Sequence, residues 1–209
     1  AKPLLEQSLK LNYHTESGGG IARVRYLLAR IAIDRGSYEE AEQALSECES
    51  IFQEIGDQSG LGLTSYWKSR LYFDYGPDYD VAEQWALNAL QIQERHSDPL
   101  AQIETIRHLA QIKSEKQEYE SALTYGERAI EMSIQHAYPI ELGSAQYVLV
   151  QVYRALDRRN EGLALAQEAL QTFQHHGDQR LEAMLCQQLS LLHKEMNELD
   201  AAKGYAEQG

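Results

Sequence analysis

The feature that most limits what this chain can fold into is a repeat of about forty residues. Tyr38, Tyr79 and Tyr119 each stand three positions before an alanine (Ala41, Ala82 and Ala122), and Arg159 with Gly162 and Leu199 with Ala202 continue the series. Successive starts lie 41, 40, 40 and 40 residues apart. Seven residues after each small residue comes another, Cys48, Ala89, Ala129 and Ala169, and nineteen after each start comes Asp57, Asp98, Tyr138 or Asp178. A period of this length marks structural units that cannot bury an apolar face alone and stack to share a core.

Each period holds two helical stretches. The first is seen in Ala22–Arg35 and Ile140–Leu156, the second in Glu39–Ile55 and Glu120–His136, with apolar residues at helical spacing such as Leu123, Ala129, Ile130 and Ile134. Gly36-Ser37 and Gly76-Pro77-Asp78 separate helices, while Asp98-Pro99 and Tyr138-Pro139 open them. The extra residue of the 41-residue period falls to the Gly76-Pro77-Asp78 turn, because turns absorb insertions. Gly18-Gly19-Gly20 reads as a turn between helices, without the Gly-Lys-Ser/Thr of a phosphate loop. No segment alternates with period two over a strand's length, so an all-α chain is expected. Helices that approach to about 8–10 Å need small residues where they cross. Ala41, Ala82, Ala122, Gly162 and Ala202 are expected at those crossings.

Composition narrows the class. The chain has 209 residues, 43% of them hydrophobic, enough for a sizeable core. No apolar run approaches the roughly 20 residues of a membrane span, and the N-terminus lacks a basic-then-apolar leader pattern; a soluble, cytoplasmic protein is expected, without a membrane partner. The 19 basic and 32 acidic residues leave a net charge of −13, which disfavours nucleic acid as a partner. Cys48 and Cys186 match no metal or redox spacing. Cys48 takes the place of a repeated alanine and reads as a small core residue.

The tyrosine-x-x-alanine start, the small residue seven positions later and the small residue in the first helix (Ala29, Ser69, Ala110, Ser190) resemble the tetratricopeptide repeat family, as do Tyr72 and Tyr153 three positions further on. The usual period of 34 is stretched to forty, similar to repeats of bacterial regulatory and signalling proteins. The resemblance covers residues 1–209 as a single repeat domain. It implies a right-handed α-α superhelix, a solenoid of about five helix pairs, with second helices starting near residues 38, 79, 119, 159 and 199. Ala1, Leu5 and Ser8 fall where the second helix of an earlier repeat would place its small and apolar residues, and Ala202 to Gly209 begins a second helix and stops. The expectation is an array incomplete at both ends, a fragment of a longer protein.

In the family the first helices line the concave surface where ligands bind. By register, that groove takes Arg23, Tyr26, Arg30 and Ile33, then Tyr66, Arg70 and Phe73, then Arg107 and Gln111, then Tyr147, Gln151 and Arg154, with Lys194 at the far end. Six basic residues there face one acid, Glu104, in a chain that is acidic overall. Arginine forks suit carboxylates, and tyrosine gives large contact area at low entropic cost. The groove therefore reads as a site for an acidic or polar peptide or protein segment, another domain of the same chain included. The alternative is that these arginines pair with glutamates of neighbouring helices. The family's carboxylate clamp sets a lysine and asparagines where this chain has Tyr and Arg, so chaperone-tail binding is not expected.

Other chemistry finds little support. His96, His136 and His176 share one register, but stacked layers separate them by roughly 16–20 Å, against the ~2 Å reach of a metal ligand; no metal, no cofactor and no catalytic residue are expected. Ser65-x-x-Lys68 lies mid-helix without companion motifs. The expected function is a partner-recognition or sensor module of a larger regulatory or signalling protein, whose attached output domain would carry any catalysis. Two alternatives are a passive scaffold, a homodimer through its end repeats, and a peptide receptor that regulates a partner's phosphorylation.

Overall fold

The computed structural model describes residues 18–75 and 78–208, together with Leu4 and Gln7. Ten helices run through residues 18–75 and 78–208: α1 (Gly18–Asp34), α2 (Tyr38–Glu54), α3 (Gln58–Asp74), α4 (Tyr79–His96), α5 (Pro99–Glu115), α6 (Tyr119–Gln135), α7 (Pro139–Ala155), α8 (Arg159–His176), α9 (Gln179–Glu195) and α10 (Leu199–Gln208). No strand occurs among the described residues. The all-α repeat of paired helices is thus as expected, and most boundaries fall within a residue of the sequence reading. Gly18-Gly19-Gly20 is a correction. These glycines form the first turn of α1, because that turn packs on the end of α2, where a methyl on Gly18 would lie 3.2 Å from Ile55 Cγ2. Tertiary contact here overrides the poor helix propensity of glycine. Ala1, Leu5, Ser8, Gly76 and Pro77 lie outside the described residues.

Eight of the ten helices end by one device. Gly36, Gly56, Ser97, Gln117, Ala137, Asp157, Gly177 and Asn197 take left-handed φ values between 52° and 72°. After several of them the next N–H reaches back five residues, as from Ser37 to the Ala32 carbonyl (2.8 Å), Glu118 to Lys113 (2.9 Å) and Glu198 to His193 (2.8 Å). This pairing satisfies carbonyls that a helix end otherwise leaves open. Helix starts are fixed by the periodic aspartates: Asp57 accepts from Gly60 N–H at 2.9 Å, and Asp98 and Asp178 accept from Ala101 and Leu181 N–H at 3.1 Å. Tyr138, at the same register, makes no side-chain cap, and Pro139 opens α7 instead.

The chain divides into two compact units, Ala1–Thr105 and Ile106–Gly209. In the first, α1 packs on α2, α2 on α3 and α3 on α4, and α1 also meets α3. Its cores are built from Ala29, Ala32, Ala41, Leu45 and Leu71, and from Ala22, Cys48 and Phe52. In the second unit, α6 to α10 pack in sequence, and α7 also meets α9. Val150, Ala166, Ala169, Phe173, Leu185 and Leu189 form its largest core. Within each unit, then, the helices that meet their next-but-one neighbour are the first helices of the repeats, which lie side by side as one wall.

The expected crossing residues are buried. Ala41, Ala82 and Ala122 have no exposed surface, and Gly162 and Ala202 are also buried. The first-helix serines tie these crossings together: Ser69 donates its hydroxyl to the Ala82 carbonyl at 2.7 Å, and Ser190 to the Ala202 carbonyl at 2.8 Å. Gly126 marks another close approach, since a methyl there would overlap the Leu149 side chain.

Candidate functional site

The first helices of the first unit bring together four of the residues that the sequence reading placed in a groove. Tyr26 and Arg30 sit one turn apart on α1, and Tyr66 and Arg70 repeat that spacing on α3. The residue that joins them is Trp67. Its ring meets Tyr26 edge-on at 6.0 Å between centroids and Tyr66 at 5.6 Å. The Arg30 guanidinium lies over both Trp67 and Tyr26, 4.9 and 5.7 Å from their centroids. Tyr66 is buried, Tyr26 and Trp67 are half-buried, and Arg30 is exposed. Arg30 therefore rests on ring faces, which attract a cation electrostatically. Trp67 was not among the sequence candidates; it stands one position after Tyr66, forty residues from Leu27.

The surrounding charges act on this cluster in different ways. Burial pushes the Tyr26 phenol up against the pull of Arg30, and Glu104, the one acid read into the groove, adds to the rise. Arg70 is ion-paired: its Nη2 lies 3.2 Å from Asp74 on the same helix. Burial works against the Arg70 charge, but Tyr66 and Asp74 more than offset it, and the guanidinium pKa is raised. Phe73 meets the Tyr79 ring at 5.6 Å. Arg23 stands apart, lining a cavity of about 420 Å³ with Phe52, Gly60, Gly62 and Ile92.

In the second unit Arg154 follows the internally paired alternative. Its Nη1 donates to Gln188 Oε1 at 2.8 Å and its Nε lies 3.0 Å from Glu195, both on the next first helix, α9. Tyr147 is half-buried against the core that contains Val150 and Leu189. Arg107, Gln111 and Gln151 are half-buried, with Gln111 Oε1 at 3.4 Å from His108 Nδ1. Lys194 is exposed in the last turn of α9. Among the arginines that the sequence reading placed in a groove, Arg70 and Arg154 thus hold acid partners, whereas Arg30 lies over aromatic rings.

Side chains set aside in the sequence have structural work. The buried Cys48 thiol donates to the Ala22 carbonyl at 3.2 Å, and burial, with Glu47 nearby, pushes its pKa up to about 12. Such a thiol is a poor nucleophile. Ser65 donates to the Leu61 carbonyl, and the buried Lys68 pairs with Glu49 beneath the Trp85 ring, so the serine–lysine spacing is absorbed by packing. His96 ends α4, His136 caps α6, and His176 ends α8 with Nδ1 2.8 Å from the Thr172 carbonyl. No described helix is long and apolar enough to cross a membrane.

Comparison with known proteins agrees with this geometry. A family model described as Tetratricopeptide repeat matches residues 22–54, the α1–α2 pair, and one described as Anaphase-promoting complex subunit 5 matches residues 105–197. No curated protein matches the sequence. Among solved structures, BtubC (BKLC) from P. vanneervenii is similar with a TM-score of 0.80 at 20% identity, over 98% of this chain and 84% of that one. A Signal Transduction ATPase with Numerous Domains from Pyrococcus horikoshii, which has a tetratricopeptide repeat sensor, gives 0.80 at 18% identity, over 99% of this chain and 33% of that one. A Rap protein complexed with competence and sporulation factor gives 0.82 at 15% identity, over 92% and 54%. The chain spans about a third and about half the length of these last two. Such likeness shows the fold, that of the tetratricopeptide-like repeat proteins.

Proposed function

We propose that this chain, a tetratricopeptide-like helix-pair array and hence of a fold that serves as a protein-interaction scaffold, is the partner-recognition module of a larger regulatory protein and takes an acidic peptide or protein segment on its first-helix wall. The observation that carries the reading is the setting of Arg30. An exposed guanidinium over Trp67 and Tyr26 offers a ligand the donors it does not share with the Tyr26 hydroxyl, and the rings hold it in place before the ligand arrives. A carboxylate is the partner that fits a planar fork of donors, and the half-buried Tyr26 and Trp67 add amphipathic contact area. Two of the similar structures support the reading by analogy: one has a tetratricopeptide repeat sensor, and the other is a complex with competence and sporulation factor.

The test is fluorescence anisotropy with labelled 12-residue peptides that carry an Asp-Asp pair on a Gly-Ser background. Arg30→Glu is expected to weaken binding at least tenfold with helical circular dichroism unchanged. Equal affinity in the two proteins would remove the proposal. A second reading, self-assembly, draws on an open hollow of about 350 Å³ between α9 and α10, lined by Ala183, Met184, Leu191, Tyr205 and Ala206. Concentration-dependent dimerisation in sedimentation velocity, lost in Met184→Glu, would favour it.

A further inference from the structure

We infer that the cavity beside Arg23 is a subsite for one bulky apolar side chain of the same ligand, so that the recognised segment pairs an apolar anchor with the acid that meets Arg30. The inference rests on the acidic-segment reading and adds a second point of contact to it.

The cavity lies beside two glycines of α3. At this register α5 carries Ala101 and Ile103, whereas α3 has Gly60 and Gly62. The Phe52 ring lies where a side chain on Gly60 would stand, and Ile92 closes the floor, its Cγ2 3.1 Å from where a methyl on Gly62 would be. The remaining space, about 420 Å³, is within the size range of sites that bury a ligand group in apolar walls. Leu63, 37% exposed, extends the apolar wall to the mouth. The rim is polar: Asp57 and Asp98 cap α3 and α5 through the Gly60 and Ala101 N–H groups, and the positive ends of those helices offset their charge. Arg23, exposed at the rim, forms no ion pair among the described residues.

The occupant follows from the charge and the geometry. Arg23 and Arg30 lie seven residues apart on one helix, about 10 Å along its axis, which an extended peptide covers in about three residues. A segment whose carboxylate reaches Arg30 therefore passes the cavity mouth under a second cation. An aromatic or long aliphatic side chain at that spacing gains burial there, while acids flanking it meet Arg23.

Anisotropy on the same Asp-Asp peptides, with one Phe moved through the other positions, tests this. Phe about three residues from the acid pair should tighten binding roughly tenfold over the Phe-free parent, and Ala101→Phe, which fills the cavity, should erase that gain. Ser59→Phe, at an exposed position on the rim, should do the same if the Ala101 variant folds poorly. A gain indifferent to Phe position, or one that survives in folded Ala101→Phe and Ser59→Phe proteins, overturns the inference. A gain that persists in Arg30→Glu but vanishes in Ala101→Phe keeps the cavity and sinks the acid contact, so the two failures are distinct.

Discussion

Gly162 on α8 faces the backbone of Val150 on α7: a methyl built on Gly162 would lie 3.6 Å from the Val150 carbonyl oxygen and 3.4 Å from Tyr153 Cβ. The other first helices hold Ala29, Ser69, Ala110 and Ser190 at the register of Val150. A larger residue on one helix is thus met by the smallest on its partner, yet room for one methyl remains. Gly162→Ala is therefore expected to stabilise the chain by about 0.5–1 kcal/mol, since it removes a flexible residue from a helix at no steric cost. Ala122→Leu, at the equivalent buried crossing, should cost roughly 1–3 kcal/mol by overpacking. Thermal and urea unfolding of both variants check the pair; a destabilised Gly162→Ala would contradict the packing described.

Ala137 ends α6 with φ 56°, a conformation in which its Cβ crowds the following carbonyl. Gly36, Gly56 and Gly177 hold the same place at other helix ends without that crowding. Ala137→Gly should raise stability by about 1 kcal/mol. A lower melting temperature in the variant would argue against this helix end.

Cys48 gives the fold an alkaline weakness. Its folded pKa, raised to about 12 from an ordinary value near 9, means the unfolded chain releases the thiol proton first. The stability linked to this group is fully present below about pH 9 and is lost as pH rises toward 12. Cys48→Ala should therefore lose less stability than the parent between pH 9 and 12, with the difference growing across the window. Parallel unfolding curves for the two proteins over that range would refute it.

Arg30 and Trp67 should be energetically coupled. A double-mutant cycle of Arg30→Ala and Trp67→Leu is expected to give a coupling of about 0.5–1 kcal/mol, the range for a cation on an exposed ring. Urea unfolding of the four proteins measures it. Simple additivity would mean that the guanidinium does not rest on the indole in solution.

The residues of the cluster were partly readable beforehand. Tyr26, Arg30, Tyr66 and Arg70 recur forty residues apart at one-turn spacing, so a shared helix face follows from the period alone. Trp67 did not stand out, because in a single sequence a ring one position from a tyrosine looks like core. Nor did register tell which arginine is paired. Asp74 and Glu195 engage Arg70 and Arg154, while Arg30, at the register of Arg70, sits on rings instead.

The repeat period, the helix pairs, the aspartate caps and the alanines at helix crossings were determined by the sequence itself, because each depends on local geometry that recurs every turn or every forty residues. The tertiary structure alone decided the platform beneath Arg30, the cavity beside Gly60 and Gly62, and the exchange of size between Val150 and Gly162. Those features depend on how far one helix is offset along its neighbour, and an offset of a few ångströms changes which side chains meet without altering the periodic pattern that specifies the helices.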